Sequence, residues 1–259
     1  MLRRWRRRRI LRRFAIPDAL WEETLADAPV LARLDQDERA RLRELALLFL
    51  HEKRIEPSAG FALDDAMRVR IAALACLPVL HLGLDCYSGF LAIVVYPDEF
   101  VIRDRETVDE NGVVHTEDAV LTGEAWEQGP VILSWQDVEA SGQGAGYNVV
   151  AHEFAHKLDM QSGEADGVPP LHAGMRVAEW KAVFDAAYAR LCAELERGDD
   201  PWIDPYAAED PGEFFAVCVE LFFDVPEDLA AEYPDVYAEL ARYFRQDPAR
   251  RGLIQAAPT

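Results

Sequence analysis

His152-Glu153-Phe154-Ala155-His156 is the stretch on which the reading of this chain turns. Its two histidines are four residues apart. On a helix that spacing puts both imidazoles on one face, one turn apart, where they can share a metal ion. Glu153 sits beside the first histidine, placed to reach a metal-bound water without being a ligand. The neighbours Tyr147-Asn148-Val149-Val150-Ala151 and Phe154-Ala155 carry apolar side chains at helical spacing and predict a buried helix from about 147 to 160. Two His and a Glu on a buried helix are costly unless something pairs with them. One solution is a pair of hydrogen-bonded structural histidines. The other, which the whole pattern favours, is the H-E-x-x-H arrangement of two zinc ligands and a general base. In that arrangement zinc lowers the pKa of a bound water, and Glu153 takes its proton as the water attacks a carbonyl.

Such a site needs a third protein ligand and leaves a fourth position for water. The pattern H-E-x-x-H-x-x-G-x-x-H would place Gly at 159 and His at 162, but the chain has Asp159 and Ser162. A Glu from a later helix is the other solution. Glu213, in Asp210-Pro211-Gly212-Glu213-Phe214-Phe215-Ala216-Val217, is the first candidate. Asp210 as N-cap with Glu213 three positions on is also a capping-box arrangement. Glu220, seven residues later on the same helix face, is the rival ligand. The residues alone leave that choice open.

Outward from this helix, residues 37–50, 64–77, 174–197, 210–224 and 234–246 read as helices. Phe90–Tyr96, Phe100–Arg103, Val113–Thr116 and Pro130–Trp135 read as strands, with a polar turn around Glu110-Asn111-Gly112. The strands cluster in the middle and helices dominate both ends, which predicts an α+β fold. Residues 1–16 read as an Arg-rich, disordered arm. Residues 17–259 read as a single unit, with a helical part over about 17–85 and a catalytic core over about 86–250.

The 259 residues carry a net charge of −20, and residues 1–13 hold eight Arg and no acid. Removing those eight charges leaves −28 on the remainder, which repels nucleic-acid phosphates and excludes the body as a nucleic-acid binder. No apolar run of secretory length follows the Arg-rich start, and no segment reaches about 18 uncharged apolar residues. Cys76, Cys86, Cys192 and Cys218 are scattered without a C-x-x-C pair, as expected of reduced thiols. These features predict a cytoplasmic protein.

The stretches HEFAHKLDM (152–160), AAEDPGEFFAV (207–217) and ELFF (220–223) closely resemble the Mlc titration factor A family of zinc peptidases. CLPVLHLGL (76–84), the YP at 96–97 and QGPVILSW (128–135) extend the resemblance over about residues 30–248. It implies a zincin-like fold similar to the catalytic domain of anthrax lethal factor, with a small central mixed sheet. It implies a gluzincin-type site with one zinc ion on His152, His156 and Glu213, and Glu153 as general base. It further implies aminopeptidase-like activity on peptides, and a transcriptional repressor as a possible protein partner. In this setting Tyr206 is a candidate oxyanion donor. Asn148, Asp159 and Glu220 are candidates to accept the second N–H of a ligand imidazole. An edge strand in such enzymes pairs with extended substrate, a role the resemblance offers to strand 130–135; Ser134 and Trp135 are then candidates to face the cleft, with the core as the equal alternative for Trp135. His51, His81, His115 and His172 lack ligand spacing and read as ordinary histidines.

Overall fold

In a computed structural model the described residues are 2–58, 60–98, 100–108, 114–121, 123–125 and 129–254. Four helices lead: α1 (Leu2–Arg13), α2 (Asp18–Asp27), α3 (Pro29–Ala32) and α4 (Gln36–Glu52). Strand β1 (Arg54–Pro57), helix α5 (Asp65–Cys76) and strand β2 (Ala92–Tyr96) follow. A hairpin of β3 (Phe100–Val108) and β4 (Val114–Leu121) precedes β5 (Gly123–Ala125) and β6 (Val131–Ser134). The turn expected around Glu110-Asn111-Gly112 lies outside the described residues. The helices α6 (Trp135–Ala140), α7 (Val149–Asp159), α8 (Val177–Glu196), α9 (Pro211–Asp224), α10 (Pro226–Glu232), α11 (Pro234–Phe244) and α12 (Pro248–Ile254) complete the described residues. The fold is α+β.

The main sheet has the order β1-β2-β6-β5 and is mixed. β1, β2 and β6 are parallel, whereas β5 runs antiparallel to β6. The parallel step from β1 to β2 needs a crossover, which α5 supplies. β1 comes from the part expected over about 17–85 and its sheet partners from the part over about 86–250, so the sheet joins the two. β6 pairs on both sides, with Ile93–Tyr96 of β2 and Gly123–Ala125 of β5. Strand 130–135 is therefore interior, and β5 holds the edge beside it. The strand also stops at Ser134, whose buried hydroxyl accepts from Asp137 N and caps α6, while Trp135 opens that helix and packs, half-buried, against the core.

Helix ends follow the local sequence. Asp35 and Glu38 form a complete capping box on α4. Asp64 accepts from Met67 N at the start of α5. Asp210 accepts from the N–H groups of Gly212 and Glu213, with Pro211 at the first helical position of α9.

The Arg-rich segment is not the disordered arm that its composition suggests. α1 is helical and lies on the body. Arg7 pairs with Glu52 at 2.7 Å and Asp85 at 3.0 Å, Arg3 pairs with the same two acids, and Ile10 is buried. Burial pushes the Glu52 carboxyl up, but the hydrogen bonds from Arg7 and Arg3 outweigh it and hold it below its ordinary range. Both acids are distant in sequence, so the composition of residues 1–13 could not reveal them. Among the described residues, no helix is long and apolar enough to cross a membrane.

Candidate metal centre

The core clamps one side of α7 and leaves the other for chemistry. Phe154 packs among Phe49, Tyr87 and Phe90 at ring distances of 5.0–5.7 Å. Ala155 and Leu158 are also fully buried. His152 and His156 lie on the opposite face, against α9. α9 is fixed in turn by Phe214 and Phe215, which pack on Phe184 and, for Phe215, on Trp180.

Contacts at both ends set the two helices antiparallel. At one end Asp224 Oδ2 accepts from Gly146 N at 2.6 Å, and Glu220 Oε2 accepts from Asn148 N at 2.8 Å. At the other end Gly167 N donates to Asp159 Oδ2 at 2.7 Å. Gly167 has φ +78°, and a Cβ there would sit 2.6 Å from Pro211 O. Only glycine lets this loop cross so close to the start of α9.

This packing brings His152 Nε2, His156 Nε2 and the Glu213 carboxylate together. The two Nε2 atoms are 3.1 Å apart. Glu213 Oε2 is 3.0 Å from His152 Nε2, and Oε1 is 3.4 Å from His156 Nε2. Donors held about 2.0–2.1 Å from a tetrahedral zinc ion lie about 3.3 Å from one another. Glu213 Oε2 is shielded from solvent and faces His152 Nε2 across that 3.0 Å gap, a spacing that a shared cation would bridge. The three residues fit a metal ion as a group.

The charges agree with that geometry. Burial pushes His152 down, yet the hydrogen bonds it donates to Glu213 and Glu220 override it and raise the imidazole well above its ordinary pKa. Burial pushes Glu213 up, but His152 and His156 hold it well below the usual carboxylate range. A proton on His152 thus stands where a cation would, and loading a metal must displace it.

Glu220 lies behind the site and not in it. Its Oε1 is 2.7 Å from His152 Nδ1, on the far side of the ring from Nε2. The Nδ1–H donates to that carboxylate, which leaves Nε2 free as a ligand. Glu213, by contrast, does not reach back to Asp210 as a capping box would require; only the Asp210 half of the cap forms. A Glu220→Gln protein should bind zinc about 10- to 100-fold more weakly in competition with a chromophoric chelator. A loss as severe as removing Glu213 would instead put Glu220 among the ligands.

The other two candidates behind the imidazoles make no hydrogen bond to them among the described residues. Asn148 is the N-cap of α7, with Oδ1 accepting from Ala151 N at 3.0 Å. Asp159 binds Gly167 N, and His156 Nδ1 has no hydrogen-bond partner. Helical spacing puts both residues near the ligand face, but capping and loop anchoring claim their side chains. Burial is the main reason that the Asp159 carboxyl is pushed up to about 6, against the lowering effect of Gly167 N. A raised carboxyl favours the folded state at low pH, and that benefit is lost as pH rises through about 6. Asp159→Asn, which keeps an acceptor without charge, should therefore raise the unfolding free energy by about 2–3 kcal/mol near pH 8. The gain should vanish below about pH 4, where Asp159 is neutral in both states. Zinc affinity should stay unchanged; a large drop would restore Asp159 to the metal site.

A cleft of about 540 Å³ opens on His152 and Glu153, with Tyr147, Trp202, Tyr206 and Asp228 in its walls. Glu153 is buried beside the two imidazoles. Tyr206 sits in a short turn, Pro205–Ala208, its ring 6.1 Å from that of His152. Burial and then the charge of Glu213 push its phenol further above its ordinary range, so it remains a proton donor. Sequence reading missed Tyr147, Trp202 and Asp228. Tyr147 OH donates to Asp137 Oδ1 at 2.8 Å, and Trp202 leans on Tyr233 at 6.3 Å. These residues meet only through tertiary packing, and no spacing marks them.

The four other histidines lie apart from this site where their side chains are described. His51 Nδ1 contacts Leu47 O, His172 Nε2 contacts Tyr243 O, and His81 lies 3.6 Å from Glu38. His115 is in β4.

Known proteins resemble the chain along nearly all its length. The profile of the glucose-regulated metallo-peptidase M90 family matches residues 2–245, so the likeness includes the Arg-rich helix and starts well before residue 30. Mlc titration factor A of Enterobacter sp. (strain 638) is 44% identical over 242 residues, 91% of this chain and 89% of that protein. Those of Escherichia fergusonii and Serratia proteamaculans (strain 568) are 41% and 43% identical, covering 95% and 92% of this chain and 92% and 91% of theirs. With a half-buried carboxylate and two buried imidazoles converging where a metal ion fits, and this likeness over almost the full length, the chain belongs to the glucose-regulated metallo-peptidase M90 family.

Proposed function

We propose that the chain is a zincin-like, gluzincin-type peptidase that hydrolyses peptide bonds, with His152, His156 and Glu213 holding one zinc ion. The convergence of those three side chains at 3.0–3.4 Å carries the reading. Two imidazoles and a carboxylate also suit other divalent ions; zinc is the choice that peptidases of this pattern make. A bound zinc ion supplies a Lewis acid that acidifies water and polarises the scissile carbonyl.

The chain's own groups do the rest. Glu220 holds His152 in the ligand tautomer. Glu153 takes a proton from the attacking water and passes it to the leaving amine. The Tyr206 hydroxyl donates to the oxyanion as the carbonyl becomes tetrahedral. Asp204 and Asp228 line the cleft and offer carboxylates to a protonated N-terminus, which supports an aminopeptidase. Four free cysteines accord with a cytoplasmic site of action.

The test is hydrolysis of aminoacyl anilides with free and with acetylated N-termini. A chelator should abolish turnover, zinc should restore it, and acetylation should suppress it. Turnover that survives complete metal removal would end the proposal. Equal turnover of both substrates would end its aminopeptidase part.

The relatives' name supports a second role, binding of an Mlc-like transcriptional repressor. The acidic body suits a basic partner surface. The roles separate in Glu153→Gln: repressor binding, measured by calorimetry, should persist when hydrolysis is lost.

A further inference from the structure

We propose that α1 is a docking face for an anionic lipid surface. Only Arg3 and Arg7 of its eight arginines make ion pairs among the described residues. With Ile10 they hold one side of the helix to the body. Arg4, Arg6, Arg8, Arg9, Arg12 and Arg13 are exposed on the remaining arc.

These six charges repel one another. Arg4, Arg8 and Arg12 are spaced at i,i+4, and so are Arg9 and Arg13; like charges at that spacing destabilise a helix. No acid intervenes in this helix. An anionic plane would relieve the repulsion along the whole array.

Apolar side chains lie within the same arc. Leu2 is 85% exposed and Trp5 62% exposed, with the Arg9 guanidinium 5.6 Å from the centre of the Trp5 ring. By helical angle Trp5 falls at the middle of the exposed arc, with arginines on both sides. Phe14, just past the helix, is also exposed. A groove of about 850 Å³ runs beside Trp5, Arg6, Arg9, Arg13 and Phe14. Arginines around an exposed Trp and Leu match a membrane interface, which takes phosphates on the one and apolar groups on the other. A nucleic acid would use the charges but offers Leu2 nothing. The rest of the chain, at −28, is repelled by the same lipids, so contact is confined to α1 and orients the molecule.

The experiment is co-sedimentation of the full chain with vesicles of phosphatidylglycerol mixed into phosphatidylcholine, beside vesicles of phosphatidylcholine alone. Binding is expected only with phosphatidylglycerol and should weaken as salt rises. Arg4→Gln/Arg8→Gln/Arg12→Gln should lower the partition coefficient about 100-fold. Those side chains make no ion pair with the body and repel one another, so the variant should keep its circular dichroism spectrum and melt no lower than the parent protein. Trp5→Ala should lower partitioning separately. No preference for the anionic vesicles, or an unchanged partition in the triple variant, would overturn the proposal. So would duplex DNA that strips the protein from vesicles at equal phosphate concentration, which would give the face to nucleic acid.

Discussion

In the Glu153→Gln protein, peptide hydrolysis is expected to fall about 100- to 10,000-fold, the contribution of a positioned general base. Glutamine keeps the size of the side chain and loses its ability to take a proton. The fall should appear in kcat, with KM little changed, because Glu153 serves the proton transfer and not the holding of substrate. Zinc content should be unaltered, since the converging ligand atoms belong to His152, His156 and Glu213. Full activity in this variant would show that another group is the base. Loss of zinc together with activity would show that Glu153 supports the site's structure instead.

Glu213→Ala should have a comparably large effect by another route. It removes the only carboxylate among the three converging residues. Zinc affinity should fall by more than the roughly 100-fold expected for losing a partner behind a ligand. Activity should fall with it and recover in part at high zinc. The variant should also be destabilised when metal-free, because His152 then loses one of the two carboxylates that keep it charged. A protein that keeps full zinc occupancy after dialysis against a chelator would remove Glu213 from the ligand set.

The histidine pair was legible because a four-residue spacing on a helix is a geometric statement in itself. The third member of the converging group was not. Glu213 and Glu220 share one face of α9, and spacing alone does not say which meets Nε2 and which meets Nδ1. The depth at which α7 and α9 pack decides it, through Asp224 at one end and Gly167 at the other. For the same reason Asn148 and Asp159 resembled partners of the imidazoles although they serve a cap and a loop. Helices α4, α5, α8, α9 and α11 were readable from their periodicity and capping residues. The edge of the sheet was not, since β5 has three residues and no pattern of its own. The docking of α1 escaped notice because its partners, Glu52 and Asp85, are distant in the chain.

The most direct measurement of the metal centre is zinc-edge X-ray absorption on the purified, zinc-loaded chain. The ligand set His152, His156 and Glu213 predicts scattering from two imidazoles and from oxygen donors, all at about 2.0–2.1 Å, with no sulfur. A sulfur shell near 2.3 Å, or a third imidazole, would contradict it.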